Sequence, residues 1–143
     1  MSMEVKIKKL VEEAVVPKYA HSTDAGLDLT ATSFEIRNGV YIYGTGLAIE
    51  IPKGYVGLIF PRSSNFKQDL YLTNCVGVID SGYRGEIKFM FKMGSINAGN
   101  IWHVGDRVGQ LIIMPYPSIE LKEVDELSDS DRGEGGFGST GTK

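Results

Sequence analysis

The chain's 143 residues suit one domain with a real core, and its net charge of −3 argues against a general nucleic-acid binder, which is usually basic. A single cysteine, Cys75, excludes an intrachain disulfide, and two histidines, His21 and His103, supply too few ligands for a Cys/His zinc site. Residues 1–10 lack the apolar run of a signal peptide and no stretch approaches membrane-spanning length, so the expectation is a soluble protein of a reducing compartment, cytoplasmic or, depending on the host, nuclear.

Along the chain, Val5 and Ile7 alternate with charges like a strand, while 8–15 fits a helix equally well. Residues 40–43, 46–51 and 55–60 read as strands, parted at Gly44-Thr45 and at the Pro52-Lys-Gly54 turn signal. A short helix fits 63–70. Residues 74–86 read as a hairpin turning at Asp80-Ser-Gly82, with Cys75 as a small core residue in its apolar run. Strands follow at 86–91, where Ile87, Phe89 and Phe91 alternate with polar neighbours and Met90, and at 108–114, which Pro115 and Pro117 end or place at an edge. Residues 119–124 alternate once more. Trp102 and His103 read as packing or surface residues. Many short strands with frequent turns predict an all-β fold, a sandwich or barrel.

The last dozen residues break this pattern. Arg132-Gly-Glu-Gly-Gly-Phe-Gly-Ser-Thr-Gly141 holds five glycines in ten residues, too many for a packed strand or helix. Its amides, its arginine and its adjacent hydroxyls suit a polyphosphate, and Phe137 suits a flat base. We read 128–143 as an arm closing over a nucleotide, after a Ser/Asp-rich lead-in; a frayed tail is the plain alternative.

Four further polar clusters interrupt the strands. In Asp24-Ala-Gly-Leu-Asp28 two acids can share one side of an extended segment and suit a hydrated Mg2+, or else form a solvated turn. Pro61-Arg-Ser-Ser64 is an anion site or an ordinary capped turn. In the 74–86 segment, Asn74, Asp80 and Tyr83 flank a backbone able to read a base, and Asp80 ends an apolar run whose partial desolvation would poise it as a base. Gly105-Asp-Arg-Val-Gly-Gln110 offers Arg107 and Gln110 to a phosphate, although a structural ion pair is an equal reading of Arg107.

Together these residues resemble the homotrimeric dUTPases (deoxyuridine 5′-triphosphate nucleotidohydrolases). The resemblance covers nearly the full length and rests on five motifs in order: Ala25-Gly-Leu-Asp-Leu29, Pro61-Arg-Ser-Ser64, Gly77-Val-Ile-Asp-Ser-Gly-Tyr-Arg-Gly85, Gly105-Asp-Arg-Val-Gly-Gln-Leu-Ile112 and the arm. It implies a distorted jelly-roll-like β-barrel or sandwich over 1–127, of β-clip type, with one short helix and the flexible arm 128–143. It implies hydrolysis of dUTP to dUMP and pyrophosphate, keeping uracil out of DNA and supplying dUMP for dTMP synthesis.

By the same resemblance Asp80 is the general base and Gln110 completes the catalytic set beside the phosphate chain. Arg62, Ser63 and Ser64 contact phosphates, and Asn74, Gly77 and Lys88 belong to the substrate-binding set, Asn74 reading uracil. Tyr83 lies against the deoxyribose. From the arm, Phe137 covers uracil while Arg132, Ser139 and Thr140, with Gly138, close on the γ-phosphate. Asp28 holds Mg2+ through a water, and each site is shared between subunits of a trimer. Asp24, Ser64 and Gly109 stand where serine, glycine and alanine are more usual. A dCTP deaminase of the same architecture and a catalytically silent nucleotide-sensing module are the alternatives, and the intact Asp80 motif and arm stand against both.

Overall fold

The structure, a computed structural model, describes residues 2–95 and 99–142. Among these residues nine strands make two antiparallel sheets: β1 (Lys6–Lys9), β2 (Leu27–Thr30), β3 (Ser33–Arg37), β4 (Val40–Glu50), β5 (Tyr55–Phe60), β6 (Leu70–Leu72), β7 (Gly77–Ile79), β8 (Glu86–Met93) and β9 (Arg107–Pro115). One sheet runs β1-β4-β8-β6 with β3 also on β4; the other runs β2-β9-β5-β7. The result is the expected all-β sandwich, without closure into a barrel. No helix among the described residues is long and apolar enough to cross a membrane.

The core is what period-two alternation buries. On β8, Ile87, Phe89 and Phe91 face inward, while Lys88, Met90 and Lys92 face out. Leu29, Tyr43, Leu47, Val108 and Leu111 join them from the other strands, with Ile51 just past the end of β4. The rings of Tyr43 and Phe91 meet edge to face at 5.8 Å and 82°, a preferred arrangement for aromatic quadrupoles.

One contact in this core accounts for the glycine at 109 on β9. A Cβ on Gly109 would meet Cζ, Cδ1 and Cε1 of Phe89, all well inside 3.0 Å. The ring is rigid and fully buried, so it cannot swing aside as a flexible side chain would. Glycine at 109 is therefore the complement of phenylalanine at 89. Gly109→Ala is expected to cost about 1–3 kcal/mol through overpacking, measurable as a lowered midpoint in denaturant.

Tyr43 adds a pH signature. Its phenol donates to Trp102 O at 2.9 Å, and burial, followed by the nearby Tyr41 and Asp106, pushes its pKa from 10 up to about 12. The fold favours the protonated phenol, so this contribution is complete below pH 10 and is lost as pH rises from 10 to 12. Two pKa units amount to about 2.7 kcal/mol at most. Tyr43→Phe is expected to flatten the stability profile in that window, while lowering stability at neutral pH by about 1–3 kcal/mol for the orphaned carbonyl. Denaturant titrations from pH 8 to 12 measure both effects.

Several sequence expectations are corrected. The segments 40–43 and 46–51 form one continuous strand, β4, because Gly44-Thr45 makes a bulge instead of a turn. The register with β8 shifts between Gly44 and Ala48, and there the Thr45 hydroxyl donates to Ile87 O at 2.7 Å. The helix expected over 63–70 is a single 3₁₀ turn, Ser63–Lys67. Residues 8–15 are not helical: Lys8 and Lys9 belong to β1, and Ala14 N donates to Val11 O in a turn beyond it.

The segment 74–86 is not a hairpin. It turns where expected, with Tyr83 N donating to Asp80 O at 3.0 Å, but β7 pairs with β5 and β8 pairs with β4 and β6. The turn therefore carries the chain from one sheet to the other. Cys75 is exposed, not core, because the backbone takes φ 58° there and leaves the strand alternation. Residues 119–124 form no strand. Beyond Pro115 the segment finds no ladder partner among the described residues, and Ile119 and Leu121 are 73% and 89% exposed.

Candidate active site

The sandwich gathers the expected residues into two groups and leaves the arm apart. The first group lies on the outer face of the second sheet. Asp28 on β2 sits opposite Gln110 on β9, which in turn faces Phe60 on β5. Their neighbours Leu29, Leu111 and Ile59 point into the core, so strand alternation turns Asp28 and Gln110 outward. Arg62 follows directly as the chain leaves β5 at Pro61.

Asp28 is held between two guanidinium groups. Arg62 Nε donates to one carboxylate oxygen at 3.1 Å and Arg107 Nη1 to the other at 3.0 Å. Asp28 and Arg62 are about three-quarters buried, at 25% and 23% exposed. Arg62 also reaches Ser64 Oγ at 3.4 Å, and Gln110 Nε2 donates to Pro61 O at 3.0 Å. Two cations against one anion leave a net positive, donor-rich patch whose arginines are already ordered. Guanidinium donors in that arrangement favour phosphate oxygens. Phe60, Pro61, Arg62, Ser63 and Gln110 line an open cleft of about 440 Å³ here.

For Arg107 the ion-pair reading is thus realised, on the very carboxylate expected to serve a metal. Asp24 and Asp28 do line one cleft, as expected of acids sharing a side, but Asp24 also accepts from His21 N at 2.9 Å and so holds its own turn. Among the described residues no cluster of three or more His, Cys, Asp or Glu stands ready to enclose a cation. Each carboxylate oxygen of Asp28 has a second acceptor position free of its arginine. That chemistry fits a hydrated Mg2+ held through a water, with substrate phosphates as the inner ligands.

The second group surrounds a cleft of about 230 Å³ between the sheets, where β5, β7 and β8 come together. Asn74, Gly77, Tyr83, Glu86 and Lys88 line it with Ile59. The Tyr83 hydroxyl donates to Glu86 O at 2.9 Å, and the ring occupies the space that a Cβ on Gly85 would need. Glycine at 85 therefore seats the tyrosine. Glu86 braces the wall: its carboxylate accepts from Gly46 N at 2.9 Å and pairs with Lys88 Nζ at 3.4 Å.

Asp80 stands at the head of this cleft's turn, exposed to solvent. The partial desolvation expected of it is not supplied by the described residues, because the apolar run ends at Ile79 and Asp80 lies exposed in the turn beyond it. Arg84 Nη1 closes the turn from outside by donating to Ser81 O at 2.7 Å. The braces Glu86 and Arg84 carried no assigned role in the sequence. Their signal was faint: a charged residue just past a turn is usually solvated.

The arm makes its own turns. Gly133 N bonds Ser130 O, Gly135 N bonds Arg132 O, Ser139 N bonds Gly136 O, and Arg132 Nε donates to Gly135 O at 2.6 Å. Arg132, Ser139 and Thr140 are exposed and Phe137 is fully so. None of the four lines either cleft described here.

Residues 12–141 match the family model described as dUTPase. The chain belongs to the dUTPase family. A deoxyuridine 5′-triphosphate nucleotidohydrolase of Nautilia profundicola is 46% identical over 142 residues, covering 97% of this chain and 99% of the relative. One of Crocosphaera subtropica is 42% identical with the same coverage. Among solved structures, the dUTPase of Staphylococcus bacteriophage 80alpha with dUpNHpp superposes with a TM-score of 0.85 at 31% identity, covering 99% of this chain and 100% of that one. A dUTPase of phage phi11 of S. aureus, whose structure describes coordination of a structural Mg(II) ion, superposes at 0.72 with 28% identity, covering 87% and 98%.

Proposed function

We propose that this dUTPase hydrolyses dUTP to dUMP and pyrophosphate, with Asp80 as the general base. The observation that carries the reading is the combination, in one dUTPase-family fold, of a preordered Arg62–Asp28–Arg107 phosphate patch with a cleft lined by Asn74 and Tyr83 and headed by Asp80. Asp80 takes a proton from water as the water oxygen bonds to the α-phosphorus. The bond from that phosphorus to the bridging oxygen breaks, and pyrophosphate leaves with the electron pair.

Asn74 and the β7 backbone accept the uracil edge, and Tyr83 packs on the deoxyribose where a 2′-hydroxyl would intrude. Gly77 seats the Ile59 side chain of the cleft wall, which fills the space a Cβ there would need, and Lys88 adds a cation to the wall. Arg62, Ser63, Ser64 and Gln110 bind the phosphate chain, whose roughly four negative charges need oriented cations and donors to be held in line. Mg2+, held by Asp28 through a water, would offset part of that charge when bound. A buried cytosine amino group would face an unmade bond, costing about 1–3 kcal/mol.

Separation of the two groups and the arm within one protomer supports a site completed between copies, as in a trimer. The base cleft of one copy would meet the phosphate patch of another, and the arm of a third would bring Arg132, Phe137, Gly138, Ser139 and Thr140. Thirteen residues from Ser128 to Thr140 span up to roughly 43–47 Å when extended, enough for that reach. Contact with a neighbour would also supply Asp80 with the desolvation that the protomer lacks.

The test is pyrophosphate release from dUTP and from dCTP, each with and without Mg2+. Pyrophosphate and dUMP from dUTP alone, promoted by Mg2+, are expected; ammonia from dCTP would favour the deaminase reading instead. Tyr83→Ala is expected to shrink the dUTP/UTP ratio of kcat/KM by roughly 10-fold or more, since the ring is the feature that excludes the ribose hydroxyl. An unchanged ratio removes Tyr83 from that role.

A further inference from the structure

We propose that Asn65 and Trp102 are positioning residues that lock the phosphate-binding turn in its working shape; the proposal rests on the reading of Arg62, Ser63 and Ser64 as phosphate ligands. Those three residues sit at the start of a single 3₁₀ turn. A helix so short has little stability of its own, since one or two backbone bonds must fix several dihedral angles. Something outside it must hold the geometry.

Asn65 supplies that hold from the middle of the turn. Its backbone N donates to Arg62 O at 2.9 Å, and Gln68 N donates to Asn65 O at 2.9 Å. Its side chain uses both halves of the amide: Nδ2 donates to Leu70 O at 2.9 Å, and Oδ1 accepts from Trp102 Nε1 at 3.1 Å. Trp102 is a firm post because it is buried at 7% exposure and its own carbonyl accepts from the buried Tyr43 hydroxyl.

The same segment grips the far end of the turn. Asp69 N donates to Asn100 O at 2.9 Å, and the Asp69 carboxylate accepts from Gly99 N at 3.1 Å and Asn100 N at 2.9 Å. A chain of hydrogen bonds thus runs from the core through Tyr43, Trp102 and Asn65 to the backbone carbonyl of Arg62. Neither Asn65 nor Trp102 lines the base cleft. Their influence falls on the phosphate half of the substrate.

That division sets the experiment. Wild type, Trp102→Phe and Asn65→Asp are titrated with dUpNHpp, a triphosphate analogue, and with 2′-deoxyuridine, which has no phosphate. Trp102→Phe keeps a packed ring and removes the indole donor, together with part of the ring volume, whose cost the melting temperature and the deoxyuridine arm report. Asn65→Asp keeps the acceptor for Trp102 and sets an oxygen against Leu70 O. Each variant is expected to weaken dUpNHpp by about 3–10-fold, the scale of one buried hydrogen bond, with deoxyuridine changed less than about 2-fold. Raised KM for dUTP with the dUTP/UTP ratio intact would accompany it.

Equal weakening of both ligands, or unchanged dUpNHpp binding despite a lowered melting temperature, assigns the pair a merely structural role and overturns the proposal. A wild type that binds no dUpNHpp overturns the dUTP reading itself, and the proposal with it. The two failures are therefore distinguishable.

Discussion

Asp80→Asn is expected to bind dUTP almost as tightly as the wild type and to turn it over about 10²–10⁴-fold more slowly, the range for loss of a positioned general base. The geometry makes this substitution unusually clean. The turn at Asp80 is closed by main-chain groups, with Tyr83 N donating to Asp80 O, and is braced by Arg84 on the carbonyls of Ser81 and Tyr83. Among the described residues no side-chain bond of Asp80 contributes to it. Asparagine keeps the shape and removes only the capacity to take a proton. Single-turnover kinetics on dUTP, with affinity measured separately using dUpNHpp, check the split. A variant with near-normal kcat refutes the assignment.

The second large effect is expected from truncation after Asp131. The hydrogen bonds of 130–141 close on one another, so removing the segment takes no strand or core side chain with it. Size-exclusion elution should therefore report an otherwise intact oligomer, with stability little changed. The kcat should nevertheless fall by about 10²-fold or more, because a closing segment orders the reacting groups and excludes water. The loss should appear mainly in kcat, with Phe137 and Arg132 contributing a smaller rise in KM. A shortened enzyme that works at the full rate would sink the closing role of the arm.

Much of this was legible in the sequence because the informative residues obey local rules. Alternation at Ile87, Phe89 and Phe91 placed β8 and its inward face correctly, and Pro115 marked the end of β9. The motif around Arg62 and that around Gln110 met on one sheet face, since β5, β9 and β2 are adjacent. Other features depended on pairing partners that no local pattern names. Gly44-Thr45 has turn composition but bulges, because β8 lies alongside to receive Thr45. The 74–86 segment has hairpin composition but changes sheets. Residues 119–124 have strand composition and no ladder partner in the protomer. The separation of Asp80 from Asp28 was likewise invisible, as β2 and β7, which carry the two motifs, become opposite edges of one sheet.

Phe89 and Gly109 also constrain how this sequence can diverge. Alanine at 109 is overpacked while the ring is present, and trimming the ring first leaves a void costing roughly 3–5 kcal/mol for a change as large as Phe→Ala. Either single step loses stability, whereas a smaller residue at 89 together with alanine at 109 restores the fit, the strongly non-additive behaviour expected of touching residues. The two sites are therefore expected to tolerate change only as a linked pair, a smaller residue at 89 returning the stability that alanine at 109 removes.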